Sequence, residues 1–169
     1  MKKRAELRYP YSIVLKALVE KLFERFRDDL ISVVVFGSVA RGEARKESDL
    51  DLLLVIRNLP RSRFRRQDLF MEVEEELEEL LRRLEEEGYM VDFSPILKTP
   101  EEAMRISPLY LDMVYDAIIL FDRDEFFKKV LDRLRKRLEE LGAKRIRLGK
   151  LWYWVLKEKY RFGEVIDIG

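Results

Sequence analysis

Cysteine and histidine are both missing from the 169 residues. Without cysteine there is no disulfide, no thiolate nucleophile and no cysteine–zinc site. Without histidine the chain lacks the commonest general base near neutral pH and the commonest zinc ligand. A hydrophobic run of the roughly 18 residues needed to span a bilayer is also absent. The basic start, MKKRAELRYPYSIVLKALVEKLF, is broken by charges and followed by no small-residue cleavage site, so a cytoplasmic protein without a membrane partner is expected. Any chemistry must rest on carboxylates, lysine and arginine, hydroxyls and a metal that prefers oxygen.

What is present is charge. Charged residues make up 40% of the chain, yet 34 basic and 33 acidic side chains leave a net charge of only +1, so overall charge names no partner. Abundant Glu, Arg and Lys without cysteine suits a thermophile, where ion-pair networks gain value. The length allows one core plus a short appendage. The expected division is a domain over 1–122 and a C-terminal helix with an aromatic tail over 123–169, packed on that domain or on a partner.

Helical spacing after Pro10 predicts a first helix to about Asp28, and ISVVVFG reads as a strand. GSVARGE is a turn leading into a short helix, and DLDLLLVI is a second strand, apolar on both faces over most of its length. A basic connection, RNLPRSRFRR, precedes one long helix with Leu69, Phe70, Val73, Leu77, Leu80, Leu81 and Leu84 on its apolar stripe, ending at Gly88. YMVDFSPIL is a third strand, Pro100 and Pro108 open short helices, AIILFD is a fourth strand, and 124–141 is a helix closed by Gly142. The aromatic, basic tail shows no clear periodicity. This order predicts an α/β (α+β) fold, a small mixed sheet covered by helices.

Asp49 and Asp51 carry the chemical signal. Two apart on a strand, they share a face and repel, so one should resist ionising unless a cation sits beside them. With oxygen donors only, that cation should be hard, Mg²⁺ or Mn²⁺, which commonly binds a few carboxylates together with substrate phosphates. Gly37 ends a strand where a ligand can approach the backbone, and Ser38 opens a short helix whose free N–H groups suit phosphate oxygens. Arg41, one turn on, can reach the same anion. Asp92 is the best candidate for a third carboxylate, because it interrupts an apolar strand where a charge is costly.

Phe36-Gly37-Ser38, ten intervening residues, Asp49-Leu50-Asp51-Leu52 and the later Asp92 resemble the nucleotidyltransferase superfamily that includes DNA polymerase beta. GSVARGEARKESDLDLLLV is most similar to its minimal group, and the resemblance covers roughly residues 12–120. It implies the nucleotidyltransferase fold, two Mg²⁺ ions held by Asp49 and Asp51, and Asp92 on the ion that activates the acceptor hydroxyl. It also implies transfer of a nucleoside monophosphate, AMP from ATP, to an acceptor hydroxyl. Relatives in that group often act as antitoxins on an all-helical HEPN-type toxin, which makes a tyrosine of such a partner an expected acceptor. A small-molecule hydroxyl is the alternative, as is a partner-binding module without turnover.

Plainer readings stand beside these. Asp49-Leu50-Asp51 can be a strand-edge solubility device, Asp92 a loop acid or cap near Ser94-Pro95, and Ser38 only a helix cap. Arg41 can pair with Glu43 or Glu47 in solvent. The cluster Arg57, Arg61, Arg63, Arg65 and Arg66 can rim the site or merely offset the glutamate-rich helix. With the basic 133–150 segment it also raises nucleic-acid binding, which would weaken steeply with salt. Trp152, Tyr153, Trp154 and Tyr160 can stack on a base, but packing on the core or joining a second copy is the better fit to aromatic side chains.

Overall fold

In the computed structural model of the chain, which describes residues 7–45, 48–149, 151–159 and 161–169, the apolar runs form a four-stranded mixed sheet. Its strands β1 (Leu30–Val35), β2 (Leu50–Ile56), β3 (Phe93–Lys98) and β4 (Ile118–Asp122) lie in the order β3-β2-β1-β4. β1 is antiparallel to β2 and β4, whereas β2 and β3 are parallel. A parallel pair requires a long crossover, and helices supply it here.

Alternation along β2 divides the interior. Leu50, Leu52, Leu54 and Ile56 enter one core with α1 (Tyr11–Phe26), and Leu53 and Val55 enter another on the opposite face. Between β1 and β2 lies the five-residue α2 (Gly37–Arg41). The first core is roofed by α1, α3 (Arg63–Glu75) and α4 (Glu78–Glu86); the second holds α5 (Pro100–Ala103), α6 (Leu109–Asp116) and α7 (Phe126–Leu141). Each fully buried leucine contributes about 1.5–3 kcal/mol. Both faces are covered, so β2 reads as apolar almost throughout. The expected class, a small mixed sheet covered by helices, is the one observed.

Three differences from the sequence reading have physical causes. The single helix expected through to Gly88 is two, broken where Leu77 N–H bonds to Glu74 O at 2.8 Å, a tighter turn than α-helical. Glu72, Glu74 and Glu75 each face a glutamate four residues on, which weakens an uninterrupted helix, and the break turns Leu77 into the core. The third strand begins at Phe93, not Tyr89, leaving Asp92 exposed just ahead of it rather than inside an apolar strand. The tail is not aperiodic: β5 (Lys144–Leu148) and β6 (Leu151–Val155) form a separate hairpin turning at Gly149.

Side-chain bonds lock the frame. Buried Ser32 donates to Asp122 Oδ1 at 2.6 Å, and Asp122 also accepts from the Phe127 and Lys128 N–H groups, both at 2.9 Å, so one carboxylate caps α7 and satisfies a core hydroxyl. Arg66 grips Glu102 with two bonds, 2.6 and 2.9 Å, joining α3 to α5. That residue of the basic cluster is structural. Among the described residues no helix is long and apolar enough to cross a membrane.

Candidate active site

The end of β1, the start of α2 and the start of β2 meet at one place. Phe36 N–H bonds to Asp51 O at 3.1 Å, which draws the β1–α2 bend onto the second aspartate. Gly37 adopts φ +74°, and a Cβ there would lie 3.0 Å from Asp51 Cγ and well inside contact of Asp51 Oδ2. Only glycine fits. Its missing side chain is the space that the Asp51 carboxylate occupies.

Asp51 is half-buried and Asp49 exposed. Desolvation, then repulsion from Asp49, push the Asp51 carboxyl above its ordinary range, and the nearby Arg41 charge partly offsets this. Asp49, Asp51 and Arg41 thus lie close enough for their charges to act on one another. Arg41 donates from Nε to Glu43 at 3.0 Å, while Glu47, the other expected partner, lies outside the described residues. Ser38 does not cap α2, since that position is Phe36 and carries no side-chain bond. Ser38 sits in the first turn, whose N–H groups have no partner within the helix. Five residues are too few for a sizeable helix dipole, so any anion affinity rests on those N–H groups.

Asp92 is carried to the next strand over. Its carbonyl accepts from Leu50 N–H at 2.8 Å, and the parallel register Leu50–Phe93 and Asp51–Ser94 sets it level with Asp49. Its carboxylate, however, makes itself felt on Glu74 of α3, whose carboxyl is raised by burial first and by Asp92 second. Asp92 and Glu74 line an open groove of about 740 Å³ with Met71, Glu78 and Met90. Among the described residues no group of three or more acids is gathered to hold a metal ion. What remains is a two-carboxylate platform without nitrogen or sulfur donors. That set fits a hard cation, because Mg²⁺ is commonly held by one or two carboxylates with the rest from substrate phosphate and water.

Sequence reasoning missed the far wall. A cleft of about 220 Å³ beside Gly37 and Arg41 is lined by Leu109, Asp112 and Asp116 of α6. The two acids stand one helical turn apart on one face, a spacing legible in LYLDMVYD. They are held from behind by Arg145 of β5, 3.2 Å from Asp112 and 2.5 Å from Asp116. The angles miss hydrogen-bond alignment, so this contact is chiefly electrostatic. Trp154 donates to Asp112 at 3.0 Å and stacks on Tyr115. Trp152 lies against the guanidinium groups of Arg145 and Arg147. These two indoles pack within the chain, and Tyr160 lies outside the described residues.

A nucleotidyltransferase domain family model matches residues 15–107. A Methanocaldococcus jannaschii protein, named provisionally as a protein adenylyltransferase, is 35% identical over 130 residues, covering 76% of this chain and 83% of its own. Among solved structures, a chain of a toxin–antitoxin crystal structure with AMP-PNP aligns at TM-score 0.44 and 17% identity, over 75% of this chain and 91% of that one. A chain of the MntA-HepT toxin–antitoxin structure aligns at 0.42 and 14%, over 78% and 92%.

Proposed function

This chain belongs to the nucleotidyltransferase domain family and is a transferase enzyme, and from that premise we propose that it moves a nucleoside monophosphate, AMP from ATP, onto an acceptor hydroxyl. The observation that carries the reading is the packing of Gly37 on the Asp51 carboxylate, with Asp49 raising its proton affinity. Two like charges held at a glycine-lined bend are costly in isolation and favourable beside a cation and a polyphosphate.

Asp49 and Asp51 would hold the Mg²⁺ (or Mn²⁺). When bound, that ion supplies charge neutralisation and lowers the pKa of a coordinated hydroxyl. The chain's own residues do the positioning. First-turn N–H groups at Gly37 and Ser38, with the Ser38 hydroxyl, donate to phosphate oxygens, and Arg41 adds a compensating charge. Such groups work by fixing the reactants in line. Asp92, hydrogen-bonded through its backbone to β2, steadies the strand start beside Asp49, while its carboxylate lines the Glu74 groove instead of joining the platform.

The acceptor we favour is a hydroxyl on a partner protein, a tyrosine of a HEPN-type toxin. Support comes from the provisional name of the 35% identical relative and from the minimal-group resemblance of the motif. The test compares wild type with Asp49→Asn/Asp51→Asn for Mg²⁺-dependent ATP binding and pyrophosphate release. Wild type should show both and the double variant neither; equal signals in the two proteins would overturn the assignment.

A further inference from the structure

At the end of the sheet opposite Asp49 and Asp51 lies a second cleft, of about 310 Å³, with a different chemistry. Arg57 follows β2, Arg123 follows β4, and Lys129 and Arg133 stand one turn apart on α7; all four line it over an apolar floor that includes Ile31 and Phe126. Six residues of extended strand separate Asp51 from Arg57, about 20 Å, so the two sites share no ligand atoms.

Among the described residues, Arg57, Lys129 and Arg133 of this cleft hold no carboxylate, unlike a number of cations elsewhere on the surface. Lys21, Arg25, Arg82, Arg135 and Arg137 each hold a carboxylate. The four in the cleft instead donate to backbone carbonyls: Arg57 to Asp28 O at 3.3 Å, Arg123 to Leu30 O at 3.1 Å, Lys129 to Asp124 O at 2.9 Å, Arg133 to Met104 O at 2.7 Å. Carbonyls fix the head groups in place without cancelling their charge. Arg123 comes within 3.8 Å of Asp28, whose side chain is fully exposed, and the lining contains one carboxylate, Asp124. Like charges one turn apart on a helix are unfavourable by themselves. Their convergence from three elements is relieved by an anion. A neighbouring compartment of about 460 Å³ shares Ile31, Arg57 and Phe126, so the space exceeds what a bare oxyanion fills.

We propose that this cleft binds a small organic phosphate of nucleotide size, its phosphate among Arg57, Arg123, Lys129 and Arg133 and its organic part on the Ile31–Phe126 floor. Preorganised arginines suit phosphate, and the mixed lining is that of a ligand pocket.

The test titrates AMP, without divalent cation, into ¹⁵N-labelled protein and follows amide shifts. Ile31, Arg57, Phe126 and Lys129 should move, and should move equally in Asp49→Asn/Asp51→Asn, which separates this site from the transferase reading. Lys129→Gln/Arg133→Gln should weaken binding at least tenfold while the sheet amides keep their positions, showing that the fold is intact. Shifts confined to residues 37–41, unchanged affinity in the Lys129/Arg133 variant, inorganic phosphate binding as tightly as AMP, or binding of an RNA oligonucleotide but not of AMP would each overturn the proposal.

Discussion

Gly37→Ala tests the contact on which the candidate site is built. Two costs can be worked from the geometry. At φ +74° a residue with a Cβ is in the left-handed region, which is unfavourable by about 1–2 kcal/mol. The new methyl carbon would also stand 3.0 Å from Asp51 Cγ and 3.3 Å from Asp51 Cβ, closer still to Oδ2. Either Asp51 leaves its rotamer or α2 moves, and overpacking of this kind costs about 1–3 kcal/mol. The sum is about 2–5 kcal/mol, a fall in Tm of about 5–20 °C for a domain of this size.

The two parts separate in a double-mutant cycle. Asp51→Ala removes Oδ2 and Cγ, so Gly37→Ala in that background should keep the backbone cost and only the milder 3.3 Å contact with the remaining Cβ. The double variant should therefore be less destabilised than the sum of the singles by about 1–3 kcal/mol. Denaturant melts of all four proteins, with matched m values, give the coupling directly. Additivity within about 0.5 kcal/mol would mean that Gly37 and Asp51 do not touch, and the reasoning about the site would fall with it.

Other consequences follow from the charges. Asp51 has a folded pKa above its ordinary value of 3.8, so its contribution to stability is present below that pH and lost as pH rises toward the folded value; Asp51→Asn should gain stability relative to wild type between pH 3 and pH 7, and a constant difference would refute the shift. Carboxyl NMR titrations should show Asp49→Asn lowering the pKa of Asp51 and Asp92→Asn lowering that of Glu74; movement of Asp51 alone by both variants would relocate the Asp92 carboxylate. Glu102 has the opposite sign: its bond to Arg66 lowers the pKa, so its stabilisation holds above the ordinary 4.5 and is lost as pH falls through the folded value, and Glu102→Gln should flatten that acid limb of the stability curve. Arg145→Met leaves Asp116 buried without its partner and should cost about 3–5 kcal/mol, with lost amide-exchange protection in β5 and β6; a loss below about 1 kcal/mol would mean that the hairpin is held by its indoles instead.

The parts of the fold legible from sequence are those set by local rules. A β-branched run marks β1 and a nearly continuous apolar run marks β2, Pro100 and Pro108 stand at helix starts, and Gly142 closes α7 in a left-handed cap at φ 67°. Strand alternation sets the face of Asp51, which lies inside β2, and Asp49, one residue ahead of that strand, continues the pattern closely enough to repel it. The hairpin was legible in principle: KRIRL and LWYWV flank a glycine, and the register sets Arg145 against Trp154 and Arg147 against Trp152. Charge density hid it, because strands with few buried positions lack the apolar alternation that usually marks them.

Asp92 shows why the third acid could not be placed by the same rules. Alternation assigns a face only to residues inside a strand; Asp49 and Asp92 each lie one residue ahead of theirs, and only Asp49 acts on Asp51. Val91 is buried in the first core and Phe93 packs against it, which regular alternation would convert into an opposite-facing Asp92 beside Asp49. The backbone obeys, through the Leu50–Asp92 bond, but the carboxylate registers on Glu74. Glu74 stands one turn before the Leu77 break that divides the expected long helix. Where a third carboxylate finds its neighbours thus depends on how α3 packs over β3, a long-range outcome that no window along the chain contains.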